Sequence, residues 1–529
     1  MHGIQRAKPA SDRALDSDPK LTQSLSSRYA QLLTMLAALM SVLLPSAAQA
    51  AESASPVVDQ INSILAPVAD AVNAVVFWSL PGTQIELIVV WLAVASFIFT
   101  IYFGFIQFRK LNLSVRVIKG HFTKPTDPGQ LTAFQALSTA LSGTVGLGNI
   151  AGVAVAITIG GPGAMIWMIL MGLMGMATKF VECTLGVKYR EIDEHGQVSG
   201  GPMYYLTKGL KERGFPVFGK IMGLAAGVMI VLAALGAGNL FQANQATSQV
   251  MSLFGLQGSS MLGVSAAVWI GLVFALTVFA VIIGGITSIA KVTSKLVPFM
   301  GIGYLLAGFL IIAMNITSLP AALATIFASA FSLESGIGGL IGAMVQGFRR
   351  ASFSSEAGFG TASIAHSAVK TSEPTTEGLV ALLEPFIDTV IICTTTALVI
   401  VITGSYLIPE LQGVNMTSHA FDVNLPGFSV VLTVAVVLFA FSTMISWSYY
   451  GEIGWKFLFG DSTLLLYKIL FCGMCVMGAA IQLDQAVALS DAGVFALAFI
   501  NILGLYFLLP IVKREVAQFF KKVENGDLS

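Results

Sequence analysis

Charge is scarce in this sequence: only 11% of its 529 residues are charged, against roughly a quarter in a typical soluble protein, and 55% are hydrophobic. With a mean hydropathy of +0.82, the chain has lipid as its main solvent. Lys plus Arg and Asp plus Glu balance at 28 each, so no net charge points to nucleic acid or to an acidic partner. Histidine is almost missing. His2, His121, His195, His366 and His419 are all there are, and none pairs at ligand spacing, which argues against a membrane-embedded metalloenzyme. The cysteines, Cys183, Cys393, Cys472 and Cys475, lie in apolar stretches. Only Cys472-Gly-Met-Cys475 has a redox or metal spacing, and no second ligand pair accompanies it, so these are small core residues.

Lysine and arginine are also absent from 51–83. Before that stretch, a polar segment (1–28) precedes an apolar run (29–44) that ends in Pro45-Ser-Ala-Ala-Gln-Ala50. The pattern predicts a signal peptide over 1–50, the alternative being an uncleaved anchor. Residues 57–76 carry apolar positions at helical spacing, so 51–83 is expected to be a periplasmic amphipathic segment.

What is abundant is long hydrophobic sequence. At about 20 apolar residues per crossing, eleven spans are expected, at 84–106, 134–159, 163–187, 218–252, 262–284, 295–315, 337–368, 379–404, 427–455, 463–482 and 486–511. Alternate connections hold the lysines and arginines, among them Arg109, Lys119, Lys188, Arg213, Lys291, Lys370 and Lys513, whereas 160–162, 253–261, 316–336, 405–426 and 483–485 hold none. Cytoplasmic loops retain such residues, so the N-terminus is expected in the periplasm and the tail (512–529) in the cytoplasm of a bacterial inner membrane.

Two spans break the helix rule. The second reads Leu141-Ser-Gly-Thr-Val-Gly-Leu-Gly-Asn149, with Gly143, Gly146 and Gly148 interrupting it. Such a helix can unwind and bind a carboxylate on freed amides and a cation on freed carbonyls, or it can simply pack closely on a neighbour. The seventh span places Gln346, Gly347, Arg349, Arg350, Glu356 and Gly360 where lipid depth is expected. Because Lys370 follows, Arg349, Arg350 and Glu356 are expected at an inner vestibule, as a gate or a helix-end ion pair. Two breaks five spans apart, in helices entering from opposite sides, suggest an inverted repeat of 134–315 and 337–511, with 84–106 an added helix. Asn239, Gln242 and Gln249 share one face of the fourth span, and Ser442, Thr443, Ser446 and Trp447 one face of the ninth. Hydroxyls are hard ligands suited to sodium, and equally can bond between helices. Lys179, Glu182, Glu384 and Asp388 are read as structural, a proton relay through the last two being the alternative.

Six collinear segments now carry a resemblance: Gly143-Thr-Val-Gly-Leu-Gly-Asn-Ile-Ala-Gly-Val153, Gly160-Gly-Pro-Gly163, Gly200-Gly-Pro-Met-Tyr-Tyr205, Phe241-Gln-Ala-Asn244, Ser355-Glu-Ala-Gly358 and Phe386-Ile-Asp-Thr389. From about residue 84 to the tail the chain resembles the alanine or glycine:cation symporter family. The resemblance implies an all-α polytopic protein of about eleven transmembrane helices, ten of them a LeuT-type 5+5 inverted repeat preceded by one extra helix. It also implies symport of sodium, or less often of protons, with alanine or glycine, glutamine being the alternative substrate. Carried over, the amides of Gly146 and Leu147 would take the substrate carboxylate, and Thr144, Gln242, Gln346, Gly347 and Trp447 would enclose the ammonium and side chain. Carbonyls of Ser142 and Val145 with hydroxyls of Ser442 and Thr443 would hold sodium, Ser446 being a further candidate. Many members read Ser-Asn-Glu-Ala-Gly where this chain has Ser354-Ser355-Glu356-Ala357-Gly358, so no asparagine role transfers to 355. No other cofactor is expected, and the expected partners are the amino acid, sodium and membrane lipid. The rival class is an ion channel, which would conduct without amino acid. An enzyme is not expected.

Overall fold

The computed structural model describes residues 73–528, apart from 84, 125, 262 and 333–338; the expected signal peptide and most of the amphipathic segment lie outside the described residues. It is almost wholly helical, with two short hairpins, 191–199 and 260–265. Seven described helices are long and apolar enough to cross a membrane, and eight if a bent pair counts as one span. They are Ala164–Lys188, Pro216–Phe254, Gly285–Met314, Pro374–Ile402, Phe428–Phe459, Asp461–Ala480 and Ala486–Glu524. The bent pair is Ala133–Thr144 with Gly148–Gly160, at 50° to one another. Backbone groups at lipid depth must be paired within the segment, which is why apolar sequence of this length settles as helix.

Three features depart from the sequence-based expectation. Connections read as loops contain helices, Leu319–Ala330 in 316–336 and Gly413–Asp422 in 405–426. Ending at 511 underestimates the last helix, which runs unbroken from Leu483 to Glu524 through Pro510, so the tail is its continuation. Two crossings carry π-helical bulges, Gly236–Leu240 and Phe386–Cys393, each of which turns the residues beyond it to a new face.

A second interrupted helix, Leu340–Ser355 followed by Ala362–Ser367, runs antiparallel to the first. Gln130 and Leu131, just before Ala133–Thr144, donate their amides to Ala368 O at 2.7 and 3.0 Å. At that end Arg190 donates to the carbonyls of Pro128, Ser367, Val369 and Thr371. The other halves meet at the opposite end: a Cβ on Gly160 would lie 3.0 Å from Gln346 Cβ and 3.2 Å from Gly342 O.

The later half of the second interrupted helix contributes His366 to a buried charged quartet. Lys179 Nζ is 3.1 Å from Glu384 Oε2, Glu384 Oε1 is 2.7 Å from His366 Nε2, and His366 Nδ1 is 2.7 Å from Glu377 Oε2. No side chain in it exceeds 1% exposure, so each charge relies on the others for compensation. Sequence spacing gave no hint of it because its members come from three helical segments. Cys183 lies near enough to complete a set of metal-type donors with His366 and Glu384, yet both imidazole nitrogens already face carboxylates. Lys179→Met strands Glu384 and should cost roughly 3–5 kcal/mol, read as a lowered unfolding midpoint in detergent, with Lys179→Met/Glu384→Gln recovering much of it. An unchanged midpoint for the single variant would refute the quartet's structural role.

Candidate functional site

The first interruption is built from three residues. Ala133–Thr144 starts with a capping box, in which Thr132 Oγ1 accepts from Gln135 N while Gln135 Oε1 accepts from Thr132 N, and it ends where Val145 turns extended at ψ 94°. Asn149 then bridges the gap: its Oδ1 accepts from Gly146 N at 2.8 Å, and its Nδ2 donates to Asp388 Oδ1 at 2.6 Å and to Ser354 Oγ at 3.1 Å. Ser354 and Thr389 donate to Asp388 Oδ2, both at 2.8 Å. The break is thus a defined turn pinned from two sides, and the helix that resumes at Gly148 begins with amides that have no partner within it.

The second interruption lies later than the glycine at 347 suggests. Leu340–Ser355 is continuous, and the chain leaves the helix at Glu356 (φ 54°), followed by Gly358 (φ 101°) and Gly360 (φ 78°). A left-handed non-glycine residue costs on the order of 1–3 kcal/mol, so Glu356 must be held there by its surroundings. Glu182 Oε1 accepts from Gly360 N at 3.0 Å, and Asn501 Nδ2 donates to Gly358 O at 2.8 Å and to Glu182 Oε1 at 2.7 Å.

Between the two interruptions lies a cavity of ≈ 330 Å³, mouth included. Of the expected substrate residues, Thr144, Gly146, Leu147, Gln242 and Trp447 line it. Gln346 and Gly347 do not. They sit two to three turns before the break in unbroken helix, where Gly347 exists for packing: a Cβ there would lie 2.6 Å from both Ala164 O and Trp167 Cβ. Ala237, Phe353, Phe359 and Val494 line the cavity too, and being apolar they carry no signal in the sequence. Glu356, expected at an inner vestibule, lines the cavity itself, where Trp447 Nε1 donates to its Oε1 at 3.1 Å and Thr361 Oγ1 to its Oε2.

Both arginines are likewise displaced from the expected inner vestibule. Arg349 pairs with Glu86 at 2.7 Å and Asp491 at 2.9 Å, and Arg350 with Asp491 at 3.2 Å. Glu86 stands just before Leu87–Tyr102 and Asp491 lies early in the last helix, so the cluster is at the end away from Lys370. It sits one helical turn from the cavity, Phe353 following Arg350 and Val494 following Asp491 by three residues.

The expected ion ligands divide as follows. Ser142 Oγ donates to Ser442 O at 2.6 Å, and Thr443 Oγ1 donates to Ser142 O at 3.0 Å. Val145 lies in the turn beside them. Ser442 Oγ donates to its own helix at Phe439 O, 2.9 Å. Ser446 Oγ is buried and has no partner among the described residues. On the bulged helix the expected stripe splits: Asn239 donates to Phe471 O at 2.6 Å and Gln249 to Thr433 Oγ1 at 3.1 Å, tying neighbouring helices, and Gln242 alone reaches the cavity. Trp447 presses on that bulge, since a Cβ on Gly238 would stand 2.3 Å from Trp447 Cβ.

Comparison with known proteins places this geometry. The chain is 41% identical over 424 residues to a sodium/alanine symporter of Methanococcus maripaludis, covering 79% of this chain and 91% of that protein. It is 36% identical over 476 residues to a putative sodium/proton-dependent alanine carrier protein of Bacillus subtilis, covering 86% and 93%. Among solved structures it resembles MhsT in complex with L-phenylalanine, with TM-score 0.51 at 15% identity over 74% of this chain and 99% of that one, a likeness of fold. Residues 64–529 match the profile of the sodium:alanine symporter family, and with the relatives above this makes the chain a multi-pass membrane protein belonging to that family.

Proposed function

We propose that the chain is a secondary active symporter that couples sodium entry to uptake of a small neutral amino acid, alanine or glycine, by alternating access. The observation that carries the reading is the first interruption: one half-helix offers carbonyls, the other offers amides, and a third helix bonds across to Ser142 beside the gap through the hydroxyl of Thr443 and the carbonyl of Ser442. Anions are favoured at a helix N-terminus and cations at a C-terminus, so one turn serves both ligands. The Gly146 and Leu147 amides receive the carboxylate, with Gly146 N exchanging its bond to Asn149 Oδ1. Thr144, Gln242 and Trp447 surround the remainder of the substrate. Sodium takes the carbonyls of Ser142 and Val145 and the hydroxyls of Ser442 and Thr443, with Ser446, unpartnered and one turn further, as reserve.

Eleven crossings follow if Leu87–Tyr102, Ala266–Ile282 and the second interrupted helix also span, with Leu319–Ala330 left at the surface. Residues 134–315 and 337–511 then form two inverted halves, supported by the antiparallel run of the interrupted helices. The end that gathers the pairs Lys188–Glu515, Arg514–Glu212 and Lys522–Glu373 faces the cytoplasm of a bacterial inner membrane, and the cluster of Glu86, Arg349, Arg350 and Asp491 closes the periplasmic path.

Labelled alanine should accumulate in proteoliposomes under an inward sodium gradient, blocked by glycine but not leucine, and a proton-only gradient should fail. Uptake indifferent to sodium would overturn the ion, and block by glutamine rather than glycine the substrate.

Gly146→Ala sets a methyl 2.7 Å from Thr443 Oγ1 and should cut uptake by roughly tenfold or more, about 1.4 kcal/mol of lost binding. Gly152→Ala, which meets nothing within 4 Å, should stay within about twofold of wild type. Equal uptake by the two variants would remove the turn from the site.

A further inference from the structure

We infer that Glu356 is the ammonium-binding residue of the cavity, and that it restricts the transporter to substrates bearing a free amino group. The inference rests on the reading that the cavity takes an amino acid with sodium. Glu356 is the one acid among the lining residues and is only 3% exposed. Among the described residues no lysine or arginine forms an ion pair with it: Lys179, whose charge also acts on Glu356 from a distance, bonds Glu384, Arg349 bonds Glu86 and Asp491, and Arg350 bonds Asp491. A buried carboxylate without a paired counter-ion is costly to keep charged, and in a cavity that admits ligands a cation from outside can compensate it.

The carboxylate is held in readiness for one. It accepts from Trp447 Nε1 and Thr361 Oγ1, and a carboxylate has room for about four such bonds, so each oxygen keeps a free lone pair. Its backbone occupies the left-handed position at the end of Leu340–Ser355, where glycine is the unstrained choice, and Glu182 and Asn501 fix the two glycines that follow. Strain accepted at a cavity wall, where a less costly residue exists, places a group that the cavity uses.

Position assigns the charge its ligand. A Cβ on Gly143 would stand 3.6 Å from Glu356 Oε1, so the acid lies beside the end of Ala133–Thr144, while Gly146 and Leu147, in the turn that follows, line the same cavity. An α-amino acid laid across the gap puts its carboxylate on the amides and its ammonium on Glu356. Charge closes as well: sodium contributes +1, the zwitterion 0 and Glu356 −1. A hydroxy acid such as lactate, with hydroxyl replacing ammonium, would leave one negative charge buried and unbalanced.

The test is equilibrium binding of labelled alanine to the purified full-length protein in sodium, with lactate as competitor and with radiolabelled sodium binding measured in the absence of amino acid. In wild type, lactate should fail to displace alanine even at roughly 1,000-fold excess. Glu356→Gln should weaken alanine binding roughly 10- to 100-fold, and its preference for alanine over lactate should collapse, while sodium binding stays within about threefold of wild type. Glu356→Asp, which keeps the charge on a shorter arm, should retain the preference. Displacement by lactate in wild type as good as by alanine would overturn the assignment, and it can be read even if Glu356→Gln does not fold. Wild-type alanine affinity in Glu356→Gln would overturn it too, as would lost sodium binding with the preference intact, which would make the acid an ion ligand. A wild type that binds no amino acid in sodium would overturn the functional reading and this inference with it.

Discussion

Unwinding a helix at the depth of the lipid tails strands amides and carbonyls that no water can reach, and each costs several kcal/mol unless the protein supplies a partner. This chain does so twice, and much of its buried polar chemistry serves that need. Asn149 closes the first gap and is itself held by Asp388 and Ser354, so the turn at 145–147 is fastened to two other helical segments at once. Glu182 and Asn501 do the same at 358–360 from Ala164–Lys188 and the last helix. The bulge at Phe386–Cys393 belongs to the same arrangement. Asp388 turns toward Asn149 while Glu384, four residues earlier, faces Lys179 and His366, a divergence that an unbulged helix would not give.

How far the sequence could be read follows from this. Apolar length and the alternation of lysine-rich and lysine-free connections are local properties, and the apolar stretch at 163–187 is the helix Ala164–Lys188. The first interruption was legible because three glycines cluster there. The second was bracketed only broadly, between Gln346 and Gly360, because Gly347 serves close packing and the departure at Glu356 is fixed from a distance. Its cause is Glu182, 174 residues earlier in sequence, and Asn501 at the far end of the chain. The arginines were assigned to the wrong end for a similar reason: Lys370 is near them in sequence, but the break and the half-helix Ala362–Ser367 lie between, and their partners Glu86 and Asp491 come from the start of Leu87–Tyr102 and from the last helix. On Pro216–Phe254 the bulge at Gly236–Leu240 offsets Asn239, while Gln242 and Gln249 share a face of the regular helix beyond it but stand about two turns apart, so only Gln242 is level with the cavity.

One helix touches both interruptions. From Phe428–Phe459, Ser442 and Thr443 bond across to Ser142 at the first, and Trp447 Nε1, one turn later, spans Gly143 O at 3.4 Å and Glu356 Oε1 at 3.1 Å. Any motion that opens the cavity by moving one interrupted helix against the other must therefore strain or exchange bonds to this helix. On the proposed reading the ligands take over those bonds: sodium takes the hydroxyls and carbonyls at the first interruption, and the ammonium takes the free lone pairs at the second. Each ligand alone leaves part of the exchange incomplete, and the zwitterion alone leaves the charge of Glu356 unbalanced. Both together complete it, and the same coupling free energy must raise the affinity of each for the other. Coupled transport then needs no dedicated wire between two distant sites, because the two ligands complete one set of bonds and one balance of charge in one cavity.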